Sequence, residues 1–381
     1  MPDHSINILK HIEGFQMEGI MMRYNLFLPR LYNWCKSLGF EKGKIMPSRA
    51  FCSDESQGYP IIMIAKHFGT FPFNHGRVGG IVAADRHGPH AAHGQDLVII
   101  QASHVGYDPQ SKHFGHYRRL QTTDQGCGPS CGKINHVMAW YQNEYQFAQQ
   151  NILLQNIEGH NCVIIDNQLL RNDLEEGLIL NLNKLIESEQ LEQYLPLKIL
   201  STAKIFKATT SLVDKLTHSA FHNSETQAIG SRLTADMFYF KRKISEAEEN
   251  IHHLEHNLIP YIPQIITATS PMLTAAQINT QIEFDRTFRS IVKENAYQGK
   301  KVLFISGLNI DISPADDQLF PLTKFVPWAA FLQEKNGTTT IFEQHELAQA
   351  LQQQTIENPD QINLEDAIEA MSKVEEVKVE L

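Results

Sequence analysis

A chain of 381 residues, 42% of them hydrophobic and 20% charged, can fill one large core or two ordinary ones. Its formal net charge of −10, with Lys and Arg scattered along it, argues against nucleic acid as the main partner, because a phosphate backbone needs concentrated cations. No apolar run approaches the ~20 residues of a membrane span, the N-terminus lacks a secretory pattern, and five cysteines fit a reducing cytoplasm better than a disulfide scaffold.

In chain order, residues 5–38 read as helical, with Leu26, Leu28, Leu31, Trp34 and Cys35 at mixed steps and Gly39 as a stop. Arg49-Ala50-Phe51-Cys52 is a short apolar run that halts at Ser53-Asp54-Glu55-Ser56. Tyr59–Ile64 suits a strand or a helix start, and the Gly- and Pro-broken segment from Gly69 to Gly80 reads as a loop over a site. Asp96–Ala102 has the continuous apolar centre of a strand buried on both faces, ending at Ser103-His104. The turn from Gly126 to Gly132 leads into a helix over 133–149. After a strand at Asn161–Asp166 the texture turns rich in Leu and Glu. Phe240, Ile244, Ala247, Ile251, Leu254 and Leu258 there step as a short heptad seam. His252, His253 and His256 read as surface histidines on that helix. A second buried strand falls at Lys300–Asp311, and the acidic end from Glu343 reads as helical with a frayed terminus.

The histidines are unevenly placed. Nine of the 18 (positions 67, 75, 87, 90, 93, 104, 113, 116 and 136) lie between Lys66 and Val137, beside Cys52, Cys127 and Cys131. Thiolate and imidazole together suit zinc, and a catalytic zinc takes three protein ligands and leaves one position open. Cys52, His104 and one of the Cys127–Cys131 pair stand where runs end or a turn meets a helix. The alternative is that Cys52 is a buried core thiol and the histidines line a polar loop. Cys127 and Cys131 have three intervening residues, against the usual two of a redox pair. Asp54 can face a metal or cap the next helical turn.

Cys52-Ser53-Asp54-Glu55, Phe71-Pro72-Phe73 with Gly76 and Gly79-Gly80, His104-Val105-Gly106, Arg119-Leu120-Gln121 and Ser130-Cys131-Gly132 follow one another in an order that resembles the limiting-CO2-inducible B/C family. Ser306-Gly307-Leu308-Asn309-Ile310 and Phe320-Pro321-Leu322 with Phe325 look like its closing strand. The resemblance touches about residues 45–145 and 297–330. It implies an α/β fold like the β-carbonic anhydrases, a mixed, mainly parallel sheet flanked by helices. The division would be N-terminal helices at 1–45, a zinc-binding core at 46–160 and 296–335, a long helical insertion at 161–295 and an acidic tail at 336–381.

It also implies Zn2+ on Cys52, His104 and, by the Ser-Cys-Gly pattern, Cys131 rather than Cys127, with Asp54 orienting or gating the fourth position. The implied activity is reversible hydration of carbon dioxide to bicarbonate through a zinc-bound hydroxide, in a cytoplasmic homodimer. Phe71 and Phe73 are then candidates for an apolar wall, and His75, His90 or His93 for a proton shuttle. β-Type enzymes commonly carry an arginine two residues after that aspartate, and this chain has Ser56. Arg77, Arg86, Arg118 or Arg119 are candidates for the missing cation. A catalytically silent zinc protein acting by assembly is the alternative.

Overall fold

The computed structural model describes residues 14–84, 96–118, 127–171, 173–187, 195–196, 203–217, 226–229, 232–244, 253–315 and 322–374. His87, His90, His93, Arg86 and Arg119, with Ala247, Ile251, His252 and the Phe320-Pro321 pair, lie outside them. The chain forms two compact units, Met1–Lys133 with Ala276–Leu381, and Ile134–Ala275.

The first unit is a mixed sheet of eight strands packed between helices. Its elements are helix α1 (Tyr24–Ser37), strand β1 (Ile45–Ala50), helix α2 (Gly58–Phe68), strand β2 (Asp96–Asp108), helix α3 (Gly132–Asn151, which runs on into the second unit), helix α4 (Pro271–Lys293) and strands β3 (Val302–Ile312) and β4 (Leu322–Gln333). The centre is parallel: β1 and β3 both run alongside β2, Ala50 opposite Gln101 and Asn309 opposite His104. β4 returns antiparallel to β3, and short strands complete the edges.

Side chains alternate across a strand, so a strand between two helical layers must be apolar on both faces. β2 shows this: Val98, Ile100 and Ala102 enter one core with Leu303 and Ile305, while Leu97 and Ile99 enter another with Val302 and Phe304. Tyr24, Phe27, Leu28 and Leu31, spaced as one stripe of α1, close the first core, and Phe27 stacks on Phe325 with ring centroids 4.1 Å apart. Phe284 and Ile291 of α4 close the second.

Several expectations change. Of the helix read over 5–38, residues 5–13 lie outside the described residues; after Gly14, Gly19 takes a positive φ of 77°, Met22–Arg23 pairs with β4, and α1 begins at Tyr24. β2 continues to Asp108, so His104 lies within the strand rather than past its end. The 161–295 interval, read as helical, carries strands as well as helices. His160–Asp166 lies between Ile152–Ile157 and Ala203–Lys207 in a five-stranded antiparallel sheet, and Gly177–Leu180 pairs with Phe238–Lys241. Short apolar runs such as Leu178-Ile179-Leu180 carry no period that separates a strand from a helix, and their partners are remote. The heptad seam dissolves likewise: Phe240 is a strand residue opposite Leu178, and Leu254 and Leu258 belong to a six-residue helix. The C-terminal segment is no mere tail, since Leu347 and Leu351 are buried in the first core.

Candidate metal centre

Parallel neighbours β1 and β2 deliver side chains to the same, C-terminal edge of the sheet, where open α/β sheets gather their functional groups. Cys52 follows β1 by two residues, and His104 sits in β2. Cys131 comes from the turn before α3, and a close backbone approach brings it in. The Gly106 N–H donates to the Ser130 carbonyl at 2.9 Å, and a Cβ on Gly106 would lie 3.0 Å from Ser130 Cβ and 2.8 Å from the oxygen of His116, in the strand beside the turn. Only glycine allows β2 and the turn to meet there.

The result is a buried trio. One ligand atom each from Cys52, His104 and Cys131 lie within 4.8 Å of one another, and the two sulfurs are 3.9 Å apart. Cys127 is exposed, in a short strand paired with His116–Arg118. The His104 ring is oriented from behind: Nδ1 is 2.8 Å from Asp311 Oδ2, while Nε2 is buried without a hydrogen-bond partner. A buried polar atom left unpaired is costly, and a cation between it and the sulfurs would satisfy it. Two sulfurs and one nitrogen form a donor set that fits zinc.

Asp311 anchors the ring through a crowded set of bonds. Ser56 Oγ donates to it at 2.8 Å, Gln57 Nε2 at 2.9 Å and Thr323 Oγ1 at 3.0 Å, all buried. Gln57 is itself held by Asn309, whose side chain accepts from the Tyr24 hydroxyl. Ser56, standing where an arginine was expected, thus supports the histidine through Asp311. Asp54 caps the short turn and also lies near the trio. One oxygen accepts from the Ser56 N–H at the start of a short turn, and the other lies 3.9 Å from His104 Nε2.

Electrostatics follow from burial and from these contacts. The Cys131 thiol beside it, with His104 and the Gly79 N–H, holds the Cys52 thiol well below the ordinary thiol range, and the same contact pushes Cys131 up. Burial opposes charge on His104, but Cys131 and Asp311 outweigh it and raise the ring above the usual imidazole range. Burial lifts the Asp54 carboxyl to about 6, against the pull of His104.

The segment from Gly69 to Gly80 does reach the trio, the Gly79 N–H donating to Cys52 Sγ at 3.2 Å, but it carries two short strands, Phe73–Asn74 and Gly76–Arg77. Other assignments move. Phe71 and Phe73 are 66% and 49% exposed, so they are not a sheltered wall in the protomer. His75 is buried against the Ser48 hydroxyl, away from the solvent a shuttle must reach. Arg77 is exposed, and Arg118 donates to the Pro314 carbonyl. Asp311 was not among the candidates from sequence. Its signal was the pair of polar residues, Asn309 and Asp311, two apart at the end of a mostly apolar strand.

No family model matches the sequence, and no curated protein matches it. A solved structure decides the fold. A point variant of PtLCIB4, described as a homolog of the limiting CO2-inducible protein LCIB, superposes with a TM-score of 0.50 at 12% identity, covering 87% of this chain and 96% of that one. The fold is that of PtLCIB4. Unmutated PtLCIB4 gives 0.49 at 11% identity over 87% of this chain and 98% of its own, and LCIB itself 0.45 at 11% over 88% and 99%. At 87% coverage, the likeness to the PtLCIB4 variant takes in most of the 161–295 interval, which the sequence resemblance had left outside.

Proposed function

We propose that this protein binds zinc through Cys52, His104 and Cys131 and interconverts carbon dioxide and bicarbonate, with Asp54 as the carboxylate at the fourth position. The observation that carries the reading is the buried, unpartnered His104 Nε2 facing two sulfurs, with a carboxylate oxygen 3.9 Å away. When bound there, zinc supplies the Lewis acidity that makes water a nucleophile at neutral pH.

The chain's own groups do the rest. Cys52 and Cys131 provide charge that matches the cation, and Asp311 fixes the His104 ring so that Nε2 is the donor atom. Asp54, tied through one oxygen to the Ser56 N–H, keeps the other oxygen towards the site, where it accepts a hydrogen bond from the attacking water and aims its lone pair. Water adds through oxygen to the carbon of carbon dioxide and loses one proton, giving bicarbonate and a proton that passes to solvent or buffer.

Exposed Phe71, Phe73 and Val78 flank the loop that reaches Cys52. Their cover by a second copy is part of the reading, which takes the protein as a cytoplasmic homodimer. No helix among the described residues is long and apolar enough to cross a membrane.

Stopped-flow hydration of carbon dioxide by zinc-loaded protein tests the activity. Acceleration over buffer is expected, together with its loss in Cys52→Ala, His104→Ala and Cys131→Ala. A rate equal to buffer from neutral to alkaline pH would sink the catalytic reading. Zinc quantitation should show depletion in the same three variants and full loading in Cys127→Ala; the reverse result for the two turn cysteines would overturn the ligand set.

A further inference from the structure

A glycine pair at positive φ cannot hold a loop in place by itself, since glycine gives the backbone the most freedom to lose. Gly79 and Gly80 take φ of 83° and 74°, yet both are buried and the Gly79 N–H must meet Cys52 Sγ. What holds them is α4, a helix far away in sequence. Asn279 donates through Nδ2 to the Gly79 carbonyl at 3.1 Å and to Ser103 Oγ at 2.8 Å. One turn on, Glu283 accepts from the Val82 N–H at 2.8 Å, and Arg286 donates to the Val82 carbonyl and pairs with Glu283. Residues 279, 283 and 286 share one helix face, so α4 grips the loop from Gly79 to Val82 at successive turns. Gln101 Nε2 in β2 adds a bond to the Gly80 carbonyl at 3.3 Å.

Asn279 is fully buried, and its amide joins two things that matter to the trio: the loop that donates to Cys52 and the β2 residue just before His104. An N–H aimed at a thiolate draws charge from the sulfur and fixes the direction of its lone pairs. We infer that Asn279 is a positioning residue for the metal centre, holding the Gly79 peptide so that its N–H donates to Cys52 Sγ. The inference rests on the zinc-site reading above and adds to it a residue outside the ligand set. Loss of the Asn279 amide leaves the buried Gly79 carbonyl without that donor, the loop turns to find another, and the bond to sulfur goes with it.

Cobalt(II)-loaded protein tests this, because the thiolate-to-cobalt charge-transfer band reports the sulfur donor directly. Asn279→Ala should displace that band and lower zinc affinity roughly tenfold to a hundredfold in a chelator competition. Glu283→Gln, which loosens the same helix at Val82, should lower the thermal midpoint yet leave the band in place. Wild-type affinity and an unmoved band in Asn279→Ala would overturn the inference, as would an equal displacement in Glu283→Gln. Should Asn279→Ala not fold, the unmutated protein still decides. Loaded with isotopically labelled cadmium, it should show scalar coupling between the metal and the Gly79 amide proton, and absence of that coupling overturns the proposal. Failure of unmutated protein to take up cobalt, zinc or cadmium overturns the zinc-site reading and this inference together. That outcome is distinct from a variant that behaves as wild type.

Discussion

Asp311 shows how much a single buried carboxylate does. It receives Ser56, Gln57 and Thr323 and faces His104 Nδ1, so the ring cannot rotate without breaking a saturated set of hydrogen bonds. Metal-ligating imidazoles depend on such partners for tautomer and direction. Asp311→Asn keeps the shape but removes the charge, and zinc affinity should fall about tenfold in a competition titration. Asp311→Ala should fall further, up to about a hundredfold, because three buried donors lose their acceptor. Equal affinity in wild type and Asp311→Ala would mean that the ring is held by packing alone. Cys52, His104 and Cys131 were legible in sequence as candidates by residue type, and Asp311 was not. A lone aspartate at a strand end is ordinary until its register opposite His104's strand is known.

At the scale of elements, the pairing of β3 with β4 sets the site's floor. The ladder slips at Ser306/Gly307, and beyond the slip Asn309 pairs with Phe325 and Asp311 with Thr323. Gly307 lies where a Cβ would run into the Phe325 ring and the Val326 carbonyl. Phe325 in turn stacks on Phe27 and meets the edge of Tyr24. Gly307→Ala must therefore push a packed aromatic cluster, and about 1–3 kcal/mol of unfolding free energy should be lost. Denaturant titration of the variant checks this; an unchanged midpoint would show that Phe325 yields without cost. Of the long central strands, β2 and β3 were readable as buried runs, whereas β4 entered only through the family resemblance. In the second unit the strand at His160–Asp166 was readable, but a four-residue run such as Gly177–Leu180 was not, because it is a strand only by virtue of Phe238–Lys241 beside it.

Over the first unit as a whole, the C-terminal segment ties down helices from the other end of the chain. Asn33 donates to the Thr355 and Glu357 carbonyls, Asp360 meets Tyr32, Lys36 and Lys42, and the Ile362 N–H reaches the Lys66 carbonyl. Asn358 sits on His67, whose ring is buried. Burial, with some help from Lys66, holds the His67 pKa down to about 4 from the ordinary 6.5. The folded state therefore favours the neutral ring, and the unfolded chain binds the extra proton between those two values. This contribution is complete above pH 6.5 and is lost as pH falls from 6.5 to 4; it is on the order of 2 kcal/mol once solvent at the ring edge is allowed for. Urea midpoints should fall across that window, and His67→Gln should flatten the slope. A slope unaltered by His67→Gln would assign it elsewhere. Asp360, pulled down to about 2 by Lys42, Lys36 and Tyr32, acts only below pH 3.8, so the two effects separate.

By itself the sequence determined the chemical inventory and its place: sulfur and imidazole donors gathered in the first part of the chain, a carboxylate two residues after Cys52, and two strands apolar enough to be buried on both faces. These are local properties, written in residue type and short-range pattern. The tertiary structure decided which turn cysteine joins the trio, that Ser56 serves Asp311, and that Phe71 and Phe73 face outward. It also decided that a supposed helical insertion carries a sheet. Each of these depends on a partner far along the chain. Register, the close approach that Gly106 permits and the depth of burial exist only once remote segments are packed together.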